Sequence, residues 1–207
     1  MISNIMTMSK RSPLALAVLS LLEEAPMHPY RMQQLITTRG KDKVINVSQR
    51  ASLYSTIERL TREGLVRVAE TERDGQRPER NVYEITDEGR ATAHSWLNDM
   101  LSVPKRGFPD FYAALAHAPM LTPQALAELL ETRRGLVAAE VDELRDGLAA
   151  VEGFLPRVVL LDTELILQTR VTEVEFLDNV LMDLGSGAMT WSRESLALLS
   201  QTHEPHP

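Results

Sequence analysis

Three observations predict a mainly α-helical chain with one small β-hairpin. Ser12-Pro13 and Thr122-Pro123 each place a hydroxyl N-cap before a proline, and each precedes a run of apolar residues. Two short alternating segments, 65–71 and 81–85, flank the turn signal Asp74-Gly75. Beyond residue 122, apolar residues keep helical spacing through two long stretches, 123–152 and 157–184. The order is helices, hairpin, helix, and then a wholly helical remainder.

From Leu14 to Leu22 the first helix is apolar nearly all round, which predicts burial, and Ala25-Pro26 stops it. A second helix is expected over 30–39, with Met32, Leu35 and Ile36 on one side and Gly40 past its end. Residues 44–47 read as a short extended piece leading to Ser48, the expected N-cap of a third helix. In that helix Leu53, Ile57 and Leu60 recur at i, i+4 and i+7 and form one core stripe. The opposite side presents Ser48, Ala51, Ser55, Arg59 and Arg62, with Ser52 beside them. Gly64 ends the helix and Leu65 packs beyond the cap. The hairpin tip and its return carry Arg73, Arg77 and Arg80, and Thr86 caps a fourth helix on which Ala93, Trp96, Leu97 and Met100 share a face. Three helices, a hairpin and a fourth helix make a winged helix-turn-helix. The predicted divisions are 1–101 for this domain, 102–109 for a breaker-rich hinge, and 110–207 for a helical dimerisation domain.

The net charge of −7 looks wrong for a nucleic-acid partner until it is divided. Residues 1–100 hold 14 basic and 13 acidic side chains, whereas 101–207 hold 8 and 16. Residues 31–62 alone carry seven basic side chains against Asp42 and Glu58. Small side chains let a helix backbone approach base edges, and arginines reach phosphate or guanine. Double-stranded DNA is therefore the expected partner. The candidate contacts are Tyr30, Lys41, Lys43, Ser48, Arg50, Ser52, Tyr54, Ser55 and Arg59, with Arg73, Arg77 and Arg80 on the wing. A small interaction module with merely solvated arginines is the competing reading.

The motifs Pro26-Met-His-Pro-Tyr-Arg-Met32, Arg39-Gly-Lys-Asp42 and Ser52-Leu-Tyr-Ser-Thr-Ile-Glu-Arg-Leu60 resemble the PadR family of bacterial transcriptional regulators. So do Glu63-Gly-Leu65, Arg77-Pro-Glu-Arg-Asn-Val-Tyr83 and Thr86-Asp-Glu-Gly89, in that order along residues 12–100. Many relatives have Pro-Gly before the Leu-Tyr element and a proline after its tyrosine, where this chain has Arg50-Ala51 and Ser55. The resemblance implies a dimeric winged-helix regulator, most often a repressor, with a helical C-terminal dimerisation domain, and small aromatic effectors. A MarR-like regulator, with both chain ends building the dimer, is the alternative within the same fold class.

In the C-terminal half a short helix is expected over 110–118, with Phe111, Tyr112 and Leu115. The first long helix carries Leu126, Leu130, Val137, Val141, Leu144, Leu148 and Val151, interrupted by Arg133 and Arg134. The second carries Leu161, Leu165, Phe176, Val180 and Leu184 and ends at Gly185-Ser-Gly187; a last short helix, 191–199, is weaker. Two such helices need a partner to bury their faces, and an identical copy is the economical one. The expected dimer contacts are Val137, Val141, Leu144, Leu148, Phe176 and Val180; the competing reading is an intrachain hairpin packing back onto the first domain. Trp96 is the candidate effector contact, with a core position as its alternative.

Enzyme chemistry finds no support. The chain has no cysteine, which excludes a disulfide framework or thiol nucleophile and points to a reducing, cytoplasmic location. His203 and His206, alone among the five histidines, stand at metal-ligand spacing, in a Pro-rich tail. No phosphate-cradling loop or Ser/His/Asp set is present, so no cofactor, metal or catalytic residue is expected. No apolar run approaches the ~18–20 residues that span a bilayer.

Overall fold

The computed structural model describes residues 11–45, 50–72 and 80–196. The chain divides into two compact units, Met1–Arg106 and Gly107–Pro207.

In the first unit, α1 (Pro13–Glu24) starts where the Ser12 hydroxyl accepts the Ala15 N–H at 3.1 Å. Its Ala15, Val18, Leu19, Leu21 and Leu22 are buried, as an apolar helix requires. Next, α2 (Pro29–Thr38) buries Met32 and Ile36, and Gly40 takes φ +65° immediately past its end. That left-handed residue turns the chain into a 3-10 turn, Lys41–Lys43, closed by the Ile45 N–H on the Lys41 carbonyl at 2.9 Å. The extended piece expected over 44–47 is thus corrected: Val44 and Ile45 belong to this turn, and 46–47 lie outside the described residues.

The third helix, α3 (Arg50–Arg62), buries Leu53, Ile57 and Leu60 along the expected stripe. Its end is a Schellman motif: the Leu65 N–H reaches the Leu60 carbonyl and the Gly64 N–H the Thr61 carbonyl, with Gly64 at φ +74°. Strands β1 (Val66–Glu72) and β2 (Arg80–Ile85) pair antiparallel, with a bulge between Val68 and Glu70. Met27 adds a one-residue bridge to Tyr83, its N–H and carbonyl exchanging bonds of 3.0 and 3.1 Å.

Then α4 (Asp87–Ser102) begins at Thr86, whose hydroxyl accepts the Gly89 N–H at 3.0 Å and donates to the Gly64 carbonyl at 2.8 Å. One side chain therefore satisfies the start of α4 and the end of α3. Trp96 packs into the same core as α1, α2, α3 and the hairpin. Burial of each large side chain there contributes about 1.5–3 kcal/mol.

In the second unit, α5 (Asp110–Ala116) is followed by a 3-10 turn, Ala118–Met120, that shortens the expected helix. Thr122 caps α6 (Pro123–Ala150), accepting the Ala125 N–H at 3.2 Å. After a second 3-10 turn, α7 (Leu161–Ser186) runs antiparallel to α6 and stops at Gly187, φ +77°. Residues 193–196 form one further helical turn, and 197–199 lie outside the described residues.

Helices α6 and α7 pack against each other within the second unit. Leu126 and Leu130 meet Leu177, with Val180, Leu181 and Leu184 against them. Arg133 and Arg134 do not break this seam. They complete it, pairing with Glu173 (2.5 Å) and Asp178 (2.8 Å), while Arg170 pairs with Glu140 (2.8 Å). The expected core face of α7 is corrected accordingly: Leu161, Leu165 and Phe176 are exposed, and Leu177 is the buried residue. Val137, Val141 and Leu144 are buried within the single chain.

Candidate nucleic-acid interface

Because Leu53, Ile57 and Leu60 face the core, a rotation of ~100° per residue turns Ala51, Tyr54, Ser55, Glu58 and Arg62 outward. All five are exposed, and Tyr54 keeps about half of its surface in solvent. Local bonds hold the small polar groups: the Ser52 carbonyl accepts from Ser55 Oγ (3.1 Å) and Thr56 Oγ1 (2.7 Å). Ser52 itself is half-buried. Arg59 leans along the helix to Glu63 at 3.1 Å, so its guanidinium stays at the edge of the exposed face.

Tyr30, the second residue of α2, is exposed, and its phenol oxygen accepts from the Gln34 amide at 3.4 Å. Beside it Arg31 is exposed. His28 joins this helix start to the hairpin, its Nδ1 lying 3.0 Å from the Asn81 carbonyl oxygen. Lys41 and Lys43 occupy the turn that leads from α2 toward α3. Arg39, counted in the basic run, has a different role. It donates twice to Glu24 (2.5 and 2.7 Å) and ties the end of α2 to the end of α1. This hydrogen bonding holds the Glu24 carboxyl below its ordinary range and raises the Arg39 guanidinium.

Ser48, Arg73 and Arg77 lie outside the described residues, and of Arg50 and Arg80 only the backbone is described: the first opens α3, the second opens β2 opposite Glu72. Trp96 is 5% exposed and packed in the first unit's cluster. Leu148 is half-buried, while Phe176 is the expected dimer contact that stands open. Glu58, counted in the charge balance of residues 31–62 but not among the expected outward residues of α3, stands on the exposed face, where helical rotation from Leu53 places it.

A buried three-helix core, a hairpin bridged to the start of α2, and an outward third helix of small, aromatic and basic residues define a winged helix-turn-helix protein. Residues 18–95 match the model of the Transcriptional regulator PadR-like family. The crystal structure of Bacillus subtilis PadR in complex with operator DNA is similar, with a TM-score of 0.70 and 20% identity, covering 84% of this chain and 99% of that one. B. subtilis PadR in complex with p-coumaric acid matches at TM-score 0.68 and 18% identity over 83% and 98%. The Vibrio cholerae virulence activator AphA matches at 0.67 and 18% over 84% and 98%. Among curated proteins, none matches the chain in sequence. No helix among the described residues is long and apolar enough to cross a membrane.

Proposed function

We propose that the chain is a cytoplasmic, sequence-specific DNA-binding transcriptional regulator that acts as a homodimeric repressor on an inverted-repeat operator. The exposed face of α3 carries the proposal: Ala51, Tyr54 and Ser55 leave room for base edges, and Arg59 and Arg62 follow one and two turns on. Tyr30, Lys41 and Lys43, on the preceding helix and turn, supply phosphate contacts that set register, as the wing arginines 73, 77 and 80 do on the hairpin. The operator complex of the B. subtilis relative supports the assignment of DNA as partner. Its p-coumaric acid complex supports a small aromatic effector as the releasing signal here. The acidic second unit has no charge complementarity to DNA, which suits assembly and control.

The test is fluorescence anisotropy with duplex from the chain's own upstream region at several salt concentrations. Arg59→Ala should weaken binding and lower the salt slope by about one unit. Wild-type affinity and slope in both Arg59→Ala and Ser55→Glu would reject α3 as the reading helix.

A further inference from the structure

The second unit contains a groove that none of these roles uses. It lies between α5 and α7, has a volume of about 530 Å³, and is walled by Phe111, Tyr112, Leu115, Leu165 and Phe176. Sites for small organic ligands span ~300–1,000 Å³, so the size suits one. The whole chain has four phenylalanines and four tyrosines, and three of those eight rings stand in this groove. On its rim are the Gln168 amide and the Thr172 hydroxyl, both exposed. The Thr169 hydroxyl donates to the Leu165 carbonyl at 2.9 Å, leaving its oxygen as an acceptor.

We propose that this groove binds an uncharged, planar aromatic molecule of one or two rings bearing a hydrogen-bonding substituent. The charge follows from the ion pairs behind the wall. Glu173 is the carboxylate in the lining, and both of its oxygens are engaged, by Arg133 at 2.5 Å and by Arg170 at 2.9 Å. Arg170 also meets Glu140 at 2.8 Å, so two guanidiniums and two carboxylates cancel. Arg133 Cζ lies over the Phe111 ring, 3.6 Å from its centroid, with its guanidinium already paired to Glu173. An entering ion of either sign would lose hydration against apolar rings and find no uncompensated countercharge. A neutral ring meets no such penalty, and aromatic walls favour offset or edge-to-face contact with it. Gln168 and Thr172 then orient its substituent. This site deepens the effector reading, and it moves the contact away from Trp96, which the core occupies.

The full-length chain, without DNA, is titrated calorimetrically with 2-naphthamide and with 2-naphthoate, the same rings without and with a charge. The amide should bind saturably, one per chain, and the naphthoate about tenfold or more weakly. Tyr112→Ala and Phe176→Ala, both at exposed positions, should keep the helical circular dichroism and lose amide binding. Equal or tighter binding of the naphthoate overturns the proposal, as does amide binding untouched by both variants. If neither compound binds and Phe176→Ala lowers the mass in light scattering, a second copy fills the groove and the proposal fails. Since no DNA is present, the outcome is independent of whether the chain finds its operator.

Discussion

Gly89 is the third residue of α4, and a β-carbon built there would lie 2.1 Å from the Leu65 carbonyl oxygen and 2.8 Å from Ile85 Cγ1. The nearer atom is backbone, held in place by the Thr86 N–H at 3.1 Å, so it cannot step aside without opening the joint between α3 and α4. In an open helix Gly→Ala stabilises by up to ~1 kcal/mol. Here the added carbon must displace the helix start, at an overpacking cost of about 1–3 kcal/mol, and disturb a cap worth ~1 kcal/mol. Gly89→Ala should therefore destabilise the first unit by about 2–4 kcal/mol, which at a urea m-value of ~2 kcal/mol/M lowers the midpoint by about 1–2 M. In Trp191→Phe protein the remaining tryptophan, Trp96, sits in that unit's core and reports its unfolding alone. Gly147→Ala is the control: it lies in α6 with no atom within 4 Å of the new carbon, so it should leave the Trp96 transition unmoved and stabilise the second unit. An unchanged or raised Trp96 midpoint in Gly89→Ala would refute the steric argument.

Leu144→Asp would bury a charge inside the single chain and should cost more than ~3 kcal/mol, unfolding the second unit as read by Trp191 fluorescence. Leu136→Asp alters a residue 71% exposed on α6, so it should preserve that transition and reduce the solution mass where copies meet on the outer face. Because Arg39 depresses the Glu24 carboxyl in the folded state, the pair stabilises the first unit above the ordinary carboxylate range and loses that effect as pH falls through the lowered value. The stability gap between wild type and Glu24→Gln should accordingly close on acidification, measured by urea titration at successive pH values. On operator DNA, Glu58→Ala should strengthen non-specific binding by removing a carboxylate from the α3 face and relax preference at one base pair, read by competition with substituted duplexes.

The elements easiest to read were those specified within one turn of chain. Ser12, Thr86 and Thr122 cap helices because a hydroxyl needs only the amide three residues on, and each bond forms where that spacing puts it. The α3 face was legible for the same reason, since Leu53, Ile57 and Leu60 leave one side outward whatever packs against them. The turn after α2 was not, because Val44 and Ile45 look extended until the left-handed Gly40 fixes the direction of approach.

The hardest reading was the seam of the second unit. Apolar residues surround α7, so spacing alone could not choose between the face bearing Leu161, Leu165 and Phe176 and the face bearing Leu177. The choice is made by α6, whose Arg133 and Arg134 find Glu173 and Asp178 some forty residues away in sequence. Those partners must face α6 for the pairs to form, and Leu177, between them, is carried inward by the same rotation. Charges that looked like interruptions in an apolar stripe therefore set the rotation of its partner helix. The side of α7 left outward brings Leu165 and Phe176 to the groove beside α5. A buried apolar seam of the expected kind would have closed that groove, and the ion pairs are the reason it is open.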